Sequence, residues 1–187
     1  MKLEQRELAR IVDGCKAKNR SSQQKLYELL YSKMLPVCYR YSRSTDEAKD
    51  MLQDGFIKVF EKIEQYNVGG SFEGWVRRII VNTAIDTYRK NKKEVFIDDE
   101  SRIKDDNDWE DMESESEYAG LSINDIVEAM QSLSPAYQTV FNLYVMEGYT
   151  HQEIADELEI NIGTSKSNLA KAKANMKTML TEKLNGL

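Results

Sequence analysis

The feature that most constrains this chain is an acidic strip, residues 94–117, that interrupts the helical patterns on either side of it. The strip holds twelve acidic and two basic residues, a local charge of −10, and it has no sustained apolar periodicity. A segment of this composition cannot bury enough apolar surface to offset the entropy lost on folding. We therefore predict a flexible acidic linker over 94–118, which divides the chain into an N-terminal domain of 1–93 and a C-terminal domain of 119–187.

The composition predicts an all-α fold of two small helical domains. The 187 residues include only two prolines and nine glycines, and strong helix formers are abundant. No run of the sequence reaches the roughly 20 apolar residues of a membrane span. We therefore expect no membrane insertion and a cytoplasmic location. Cys15 and Cys38 match no metal-ligand or redox spacing, and we expect both to be free thiols in a reducing compartment.

Capping signals divide the N-terminal domain into four helices. The first begins near the N-terminus, and the second opens at Ser21 or Ser22. Pro36 lies inside this second helix and predicts a kink or a break there. Ser44 caps the third helix, and Ser71 caps the fourth after a glycine-containing loop.

The C-terminal domain is also predicted to hold four helices. Ser122 caps the first, and Ser134-Pro135 opens the second, which ends at Gly148. Thr150 and Glu153 form a capping box for a short third helix. A tight connection then leads to a longer fourth helix that carries five lysines.

The last two helices have the pattern of a helix-turn-helix. Apolar side chains that can pack between them are Ile154, Ala155, Leu158, Ile162 and Leu169. The second helix would then present polar and cationic groups outward: Thr164, Ser165, Lys166, Asn168, Lys171 and Lys173. Such groups suit base edges and phosphates in a major groove. The alternative is a helical hairpin with a solvated lysine face, but the net charge of +4 over 163–183 favours DNA.

A second basic patch lies on residues 72–93, where the stretch from Arg77 onward has a net charge of +5. It mixes cations with aromatic and amide groups: Trp75, Arg77, Arg78, Asn82, Tyr88, Arg89, Lys90, Lys92 and Lys93. Stacking surfaces beside cations are what unstacked, single-stranded bases need. The alternative is structural, with Trp75 in the core and the basic helix end complementing the helix dipole.

A third segment, residues 50–63, combines a core-facing apolar side with a polar face. That face carries Asp50, Gln53, Asp54 and Lys58, and on pattern alone it is a solvated surface.

Elsewhere the sequence offers little for catalysis. The single histidine, His151, lies in the first turn of a predicted helix, where we expect surface placement, and no metal-ligand spacing or nucleophile motif is present. We therefore predict no catalytic residue, metal, cofactor or small-molecule substrate, and hence no enzyme.

Taken in order over about 22–179, these segments resemble the extracytoplasmic-function (ECF) sigma factors of bacterial RNA polymerase. The polymerase-docking helices of that family are similar to LYELLYSKMLPVCYRYSRSTDEAKDMLQDGFIKVFEKI. Its promoter-melting segment is similar to FEGWVRRIIVNTAIDTYRK. Its C-terminal helix-turn-helix looks like LSPAYQTVFNLYVMEGYTHQEIADELEINIGTSKSNLAKAKANMK. The three segments in this order, with an acidic linker between them, are highly specific to the family.

The resemblance implies a role for each segment. Asp50, Gln53, Asp54 and Lys58 would bind core RNA polymerase, on the clamp of its β′ subunit, with the β subunit as a further partner. The −10 promoter element would be recognised and melted by Asn67, Gly69, Gly70, Trp75, Arg77, Arg78, Asn82, Arg89 and Lys90. The −35 element would be read by Thr164, Ser165, Lys166, Asn168, Lys171 and Lys173. The linker would thread the RNA channel of the polymerase, and an anti-sigma factor is an implied partner.

Two positions depart from the pattern of the family. Members often carry an apolar residue where this chain has Ser165, and an arginine where it has Asn168. Asn168 suits a bidentate contact with adenine, whereas arginine favours guanine. Two other classes of function stay open on the sequence: a stand-alone helix-turn-helix regulator that binds operators without polymerase, and a helical adaptor that binds only proteins.

Overall fold

The computed structural model describes the backbone of residues 2–67, 70–94 and 120–186, and the side chains of 6–67, 70–91 and 120–186. Within these ranges the chain forms eight α-helices and no strand, which confirms the predicted all-α fold. The contacts between residues divide the chain into two compact units, Met1–Asp86 and Thr87–Leu187. The predicted linker lies almost wholly outside the described residues, so the domain bounds remain predictions.

The N-terminal unit contains three helices and the first part of a fourth. They are α1 (Lys2–Lys16), α2 (Arg20–Tyr39), α3 (Thr45–Lys62) and α4 (Phe72–Glu94), with a 3₁₀ turn at Ile63–Gln65. The predicted caps at Ser44 and Ser71 are confirmed, because their hydroxyls accept from the amides of Glu47 (3.1 Å) and Gly74 (3.2 Å). The predicted cap of α2 is wrong: Asn19, not Ser21, caps it and accepts from the Ser22 amide at 3.0 Å.

Pro36 does not break α2, which continues past it to Tyr39. A proline inside a helix removes one amide donor and crowds the carbonyl four residues earlier. The helix ends three residues beyond Pro36, so only its last turn carries this cost. Of the kink or break that the sequence predicted at Pro36, the break is therefore absent.

The core of the N-terminal unit lies between α2, α3 and α4. Its fully buried large side chains include Leu26, Met34, Leu52, Phe56, Ile80 and Ile85. A β-carbon added to Gly55 would lie 2.2 Å from Cδ1 of Ile80, so glycine permits the close approach of α3 and α4 at this point. Cys15 and Cys38 are both buried free thiols, as predicted, and burial raises the pKa of Cys38 to about 12.

The C-terminal unit contains α5 (Ile123–Gln131), α6 (Pro135–Phe141), α7 (His151–Leu158) and α8 (Ile162–Leu184). The predicted caps at Ser122, Ser134 and Thr150 are confirmed, and Ser122 and Thr150 each form a complete capping box. The sequence did not predict the π-helical turn Asn142–Met146, which follows α6 directly. None of the described helices is long and apolar enough to cross a membrane.

The connection between α7 and α8 has the tight geometry of a helix-turn-helix. Glu159 takes a left-handed backbone conformation (φ 53°) that ends α7, and Asn161 caps α8 by accepting from the Thr164 amide at 2.7 Å. The inner face is formed by Ile154, Ala155, Leu158 and Leu169, as predicted. Ile162 was expected in this core, but 41% of its surface is exposed.

Candidate nucleic-acid interface

The start of α4 is built on a cluster of aromatic rings. Tyr66, Phe72 and Trp75 contact one another with ring centroids 4.8 to 5.7 Å apart. Phe72 is buried, whereas Trp75 is only partly buried. Trp75 therefore packs against the unit and also keeps part of its surface exposed, which is compatible with both alternatives that the sequence left open.

The loop before α4 is held by the same cluster. The Tyr66 hydroxyl donates to the carbonyl oxygen of Gly70 at 2.7 Å, across the tip of the loop. Asn67 and Gly70 are exposed, and Gly69 lies outside the described residues. Tyr66 was not among the predicted site residues. Its position beside the Gly-Gly loop was the available signal, but nothing in the sequence indicated the hydrogen bond.

Polar and cationic groups follow the outer side of α4. Arg78, Asn82 and Lys90 are exposed, while Arg77 and Arg89 are partly buried. The buried face of the same helix carries Val76, Ile80 and Ala84 among others, so the helix is fixed by its apolar side. This arrangement leaves an amide and several cations on one surface next to the partly exposed Trp75, which suits a single-stranded nucleic acid.

The polar face predicted on α3 is present in the structure. Asp50, Gln53 and Asp54 are exposed. Lys58 differs from them, because its Nζ lies 2.8 Å from an Asp86 carboxylate oxygen on α4. The pair joins α3 to α4, so Lys58 has a structural partner within the chain.

Ser165 does not lie where the sequence placed it. We expected it on the outer face of α8, but its side chain is fully buried (0% exposed) and faces α7. Its hydroxyl lies 2.9 Å from Nδ1 of His151. An apolar-periodicity argument treats serine as a surface residue, and it could not detect that a histidine across the turn would accept or donate this bond.

The other predicted residues of α8 lie on two flanks of the helix. Successive residues turn by about 100° around a helix, and the buried stripe is Ser165, Leu169, Ala172 and Met176. Lys166 and Lys173 fall on one side of this stripe. Thr164, Asn168 and Lys171 fall on the other, where the Lys171 ammonium lies 5.8 Å from the centroid of the Tyr137 ring. The two flanks can face the two walls of a groove into which the helix is inserted.

His151 lies on the flank of Lys166 and Lys173. Its ring stacks on Tyr144 of the π-helical turn, with centroids 4.5 Å apart and planes 25° apart. Partial burial, together with the positive charges of Lys166 and Lys173, lowers the pKa of His151 below its ordinary value. The histidine that was expected on the solvated surface is therefore partly buried. Among the described residues, no group of three or more His, Cys, Asp or Glu side chains could hold a metal ion.

Two family models match the chain. The model for sigma-70 region 2 matches residues 26–94, which include α3 and α4. The model for sigma-70 region 4 matches residues 123–176, which include the helix-turn-helix of α7 and α8. Together the two matches span about two thirds of the chain, and they fall on either side of the acidic strip.

Curated proteins similar to this chain are also named sigma factors. The chain is 29% identical over 150 residues to the ECF RNA polymerase sigma factor SigE of Mycolicibacterium smegmatis, covering 78% of this chain and 56% of that protein. It is 26% identical over 168 residues to the ECF RNA polymerase sigma factor SigW of Bacillus subtilis, covering 84% of this chain and 88% of that one. A solved structure, sigma factor RpoE with the anti-sigma factor NepR from Bartonella quintana, matches at 21% identity and a TM-score of 0.49, covering 84% of this chain and 95% of that one. The two sigma-70 regions, in this order and with the curated relatives SigE and SigW, show that the chain belongs to the sigma-70 family of promoter-specific transcription initiation factors, and within it to the ECF type.

Proposed function

We propose that this chain binds core RNA polymerase through α3, recognises and melts the −10 element with α4 and the loop before it, and reads the −35 element with α8. The observation that carries the proposal is that each sigma-70 region falls on a helix with an exposed polar and cationic surface: α4 in region 2 and α8 in region 4. The polymerase supplies the chemistry, so the chain itself catalyses nothing. We also propose that it acts in the cytoplasm, where the polymerase is.

The core-binding surface is proposed on α3. Asp50, Gln53 and Asp54 are exposed on one side of that helix and present two carboxylates and an amide to the β′ clamp. Lys58 contributes less than the sequence suggested, because its ammonium group is paired with Asp86. We therefore assign Lys58 chiefly to the packing of α3 against α4.

The −10 surface is proposed on α4, with Asn82 as the group that meets an unstacked base. Its amide can donate and accept, and Arg78 and Lys90 on the same helix can neutralise the strand backbone. Unstacking costs a few kcal/mol per base. A stacking contact of about 1–3 kcal/mol with a ring such as Trp75 offsets much of that cost. The Tyr66–Gly70 hydrogen bond holds the loop that would enclose the base.

The −35 surface is proposed on both flanks of the first three turns of α8. Lys166 is exposed and suits a phosphate contact, while Asn168 is partly exposed and suits adenine. Ser165 is not part of this surface, because it is buried.

An anti-sigma factor is proposed as a regulatory partner because the chain resembles the ECF family. The test is purification of the tagged chain from its host cells. A stoichiometric protein partner should co-purify with the chain before induction, and the chain should be recovered without that partner after induction.

The test of the proposal is initiation by holoenzyme reconstituted from this chain and core polymerase. Lys166→Ala should weaken −35-dependent initiation by about 1 kcal/mol, a factor of about five, if it removes one phosphate contact. The control is Lys177→Ala. Lys177 is exposed on the same helix at nearly the same angle, but it lies three turns further from the end that enters the groove. Equal loss in both variants would contradict the assigned surface.

Asn82→Ala separates melting from assembly. We expect open-complex formation to fall while the affinity for core polymerase is unchanged, because Asn82 is exposed on α4 and the core-binding surface is on α3. Permanganate footprinting measures the first quantity and co-sedimentation with core measures the second. A stand-alone regulator would instead bind duplex DNA tightly without polymerase, and an adaptor would show no salt-dependent DNA affinity even with polymerase present.

A further inference from the structure

The buried hydroxyl of Ser165 is a fixed point of the helix-turn-helix. A polar group in a protein interior is costly unless it is hydrogen-bonded. Here the partner is Nδ1 of His151, at 2.9 Å, on the first residue of α7. The bond crosses directly from α7 to α8, and it lies one residue before Lys166 and three residues before Asn168.

The His151 ring is itself held from two directions. The backbone of His151 directly follows Thr150. Thr150 forms the capping box that fixes the start of α7: its amide donates to the Glu153 carboxylate, and its hydroxyl accepts from the Glu153 amide. The ring of His151 stacks on Tyr144, and Tyr144 is placed by the π-helical turn before α7. The imidazole nitrogen therefore meets α8 from a defined position, unlike a freely rotating side chain.

The bond lies at the boundary between the two flanks of α8. The buried stripe that contains Ser165 separates the Lys166 flank from the Asn168 flank. A small rotation of α8 about its axis moves one flank deeper into a groove and withdraws the other. The apolar contacts of Leu169, Ala172 and Met176 pack α8 against the unit along its length, and the hydrogen bond adds a preferred distance and angle at its first turn.

We propose that His151 is a positioning residue: through its bond to Ser165 it sets the rotation of α8 and thereby the base preference at the promoter element that α8 reads. This proposal rests on the proposed function. It differs from it in assigning a specificity role to two side chains that do not touch the bases. Replacing either partner should change which bases are preferred, in addition to any change in overall affinity.

The variants are chosen to separate the hydrogen bond from the ring. His151→Phe keeps a ring that can stack on Tyr144 and removes the bonding nitrogen. His151→Asn loses the ring but keeps a polar atom at about the position of Nδ1, so it is the conservative rescue. Ser165→Ala removes the other partner. The double variant His151→Phe with Ser165→Ala makes both partners apolar without adding bulk at the buried Ser165 position, which can be nearly neutral for stability, and so keeps the test informative if a single variant folds poorly.

The readout is initiation by reconstituted holoenzyme on promoter libraries in which each base of the upstream element is randomised. We expect His151→Phe and Ser165→Ala to change the ratio between the preferred base and its best competitor by about tenfold at one or more positions, as a lost bidentate contact would. His151→Asn should retain the parental ranking. The double variant should fold like the parent but rank the bases differently.

Two results would count against the proposal, and they differ from failure of the proposed function. If all variants scale initiation equally on every sequence and leave the ranking intact, the pair is merely structural and the inference is wrong. The inference is also wrong if His151→Asn alters the ranking as much as His151→Phe does. If the parental chain itself gives no sequence-dependent initiation with core polymerase, the proposed function is what fails.

Discussion

The interiors of the two units are built from different kinds of side chains. Among the described residues, the N-terminal unit buries two polar side chains, Ser42 and Thr83, and each donates to a carbonyl four residues earlier, at 3.0 and 2.9 Å. The C-terminal unit buries four, which are Gln138, Thr139, Asn142 and Ser165. Ser165 bonds across to another helix, and Asn142 donates to the Gln138 carbonyl at the start of the π-helical turn.

The difference bears on how each unit orients its proposed nucleic-acid surface. In the N-terminal unit, α4 is oriented by a continuous apolar face, and the polar surface is whatever remains outside. In the C-terminal unit, a directional bond from His151 supplements a smaller apolar face on α8. Close apolar packing fixes the position of α4, and on α8 a buried hydrogen bond adds a preferred distance and angle to the packing.

The largest expected effect comes from a charge placed in the polar interior. Asn142→Asp puts a carboxylate at a fully buried position in α6–α8, and an uncompensated buried charge costs about 3–5 kcal/mol. The carboxyl pKa would be raised in the folded state, so the lost stability should return as pH falls. Asn82→Asp, on the exposed side of α4, is the matched control. Native-state hydrogen exchange of the α6–α8 amides measures the cost, and a loss under 1 kcal/mol would show that this interior is open to water.

A cavity in the apolar interior should have the next largest effect. Leu52→Ala removes a fully buried side chain from α3 and should cost about 2–5 kcal/mol. Ile57→Ala, on the same helix but 56% exposed, should cost less than about 0.5 kcal/mol.

Thiol labelling reports the Leu52 effect selectively, because both cysteines lie in the N-terminal unit and Cys38 is fully buried. Labelling of Cys38 should be faster in Leu52→Ala than in the parent and unchanged in Ile57→Ala. Equal labelling of Cys38 in the parent and in Leu52→Ala would mean that Leu52 does not support this core.

A smaller effect is expected from Thr83→Val. The hydroxyl of Thr83 donates at 2.9 Å to the carbonyl of Ile79, which also belongs to the hydrogen-bond ladder of α4, so an isosteric apolar replacement should cost less than about 1 kcal/mol. The matched change in the other unit is Ser165→Ala, whose partner His151 would lose its bond. If Thr83→Val were the more damaging of the two, the contrast between the interiors would be reversed.

The smallest expected effect concerns acid stability of the C-terminal unit. Hydrogen bonds from Lys183, and then from Ser122, lower the pKa of Asp125 well below its ordinary value. Because the folded pKa is lowered, this contribution is fully present above the ordinary Asp pKa and is lost as pH falls from that value through the lowered folded pKa. Asp125→Asn should therefore be less stable than the parent at neutral pH, and the gap should close in acid. Asp156→Asn, an exposed carboxylate on α7, is the control. A gap that persists unchanged into acid would contradict the role of this carboxylate.

Much of the fold could be predicted because helix starts and apolar periodicity are local signals. The caps at Ser44, Ser122 and Thr150 required only the side chain and the amides that follow it. The cap of α2 was misplaced because Ser21 and Asn19 are equally plausible until the preceding turn is known. The π-helical turn and the fate of Pro36 depend on contacts made elsewhere in each unit, which no window of sequence contains.

The candidate site could be predicted only where polarity and exposure agree. On α4 they do, and Arg78, Asn82 and Lys90 are on the surface. On α8 they do not: Ser165 is polar and buried, whereas Ile162 is apolar and 41% exposed. For Ser165 the reason is its bond to His151, which satisfies the buried hydroxyl and joins residues fourteen positions apart in the sequence.

The most direct test of the central claim is the mapping of transcript 5′ ends after adding this chain to core RNA polymerase on the genomic DNA of its own bacterium. We predict a limited set of new start sites that share two sequence elements upstream of the start. Lys166→Ala should weaken initiation that depends on the element further upstream. Asn82→Ala should impair melting at the element nearer the start. Start sites identical to those of core polymerase alone, with no binding of the chain to core, would contradict the account.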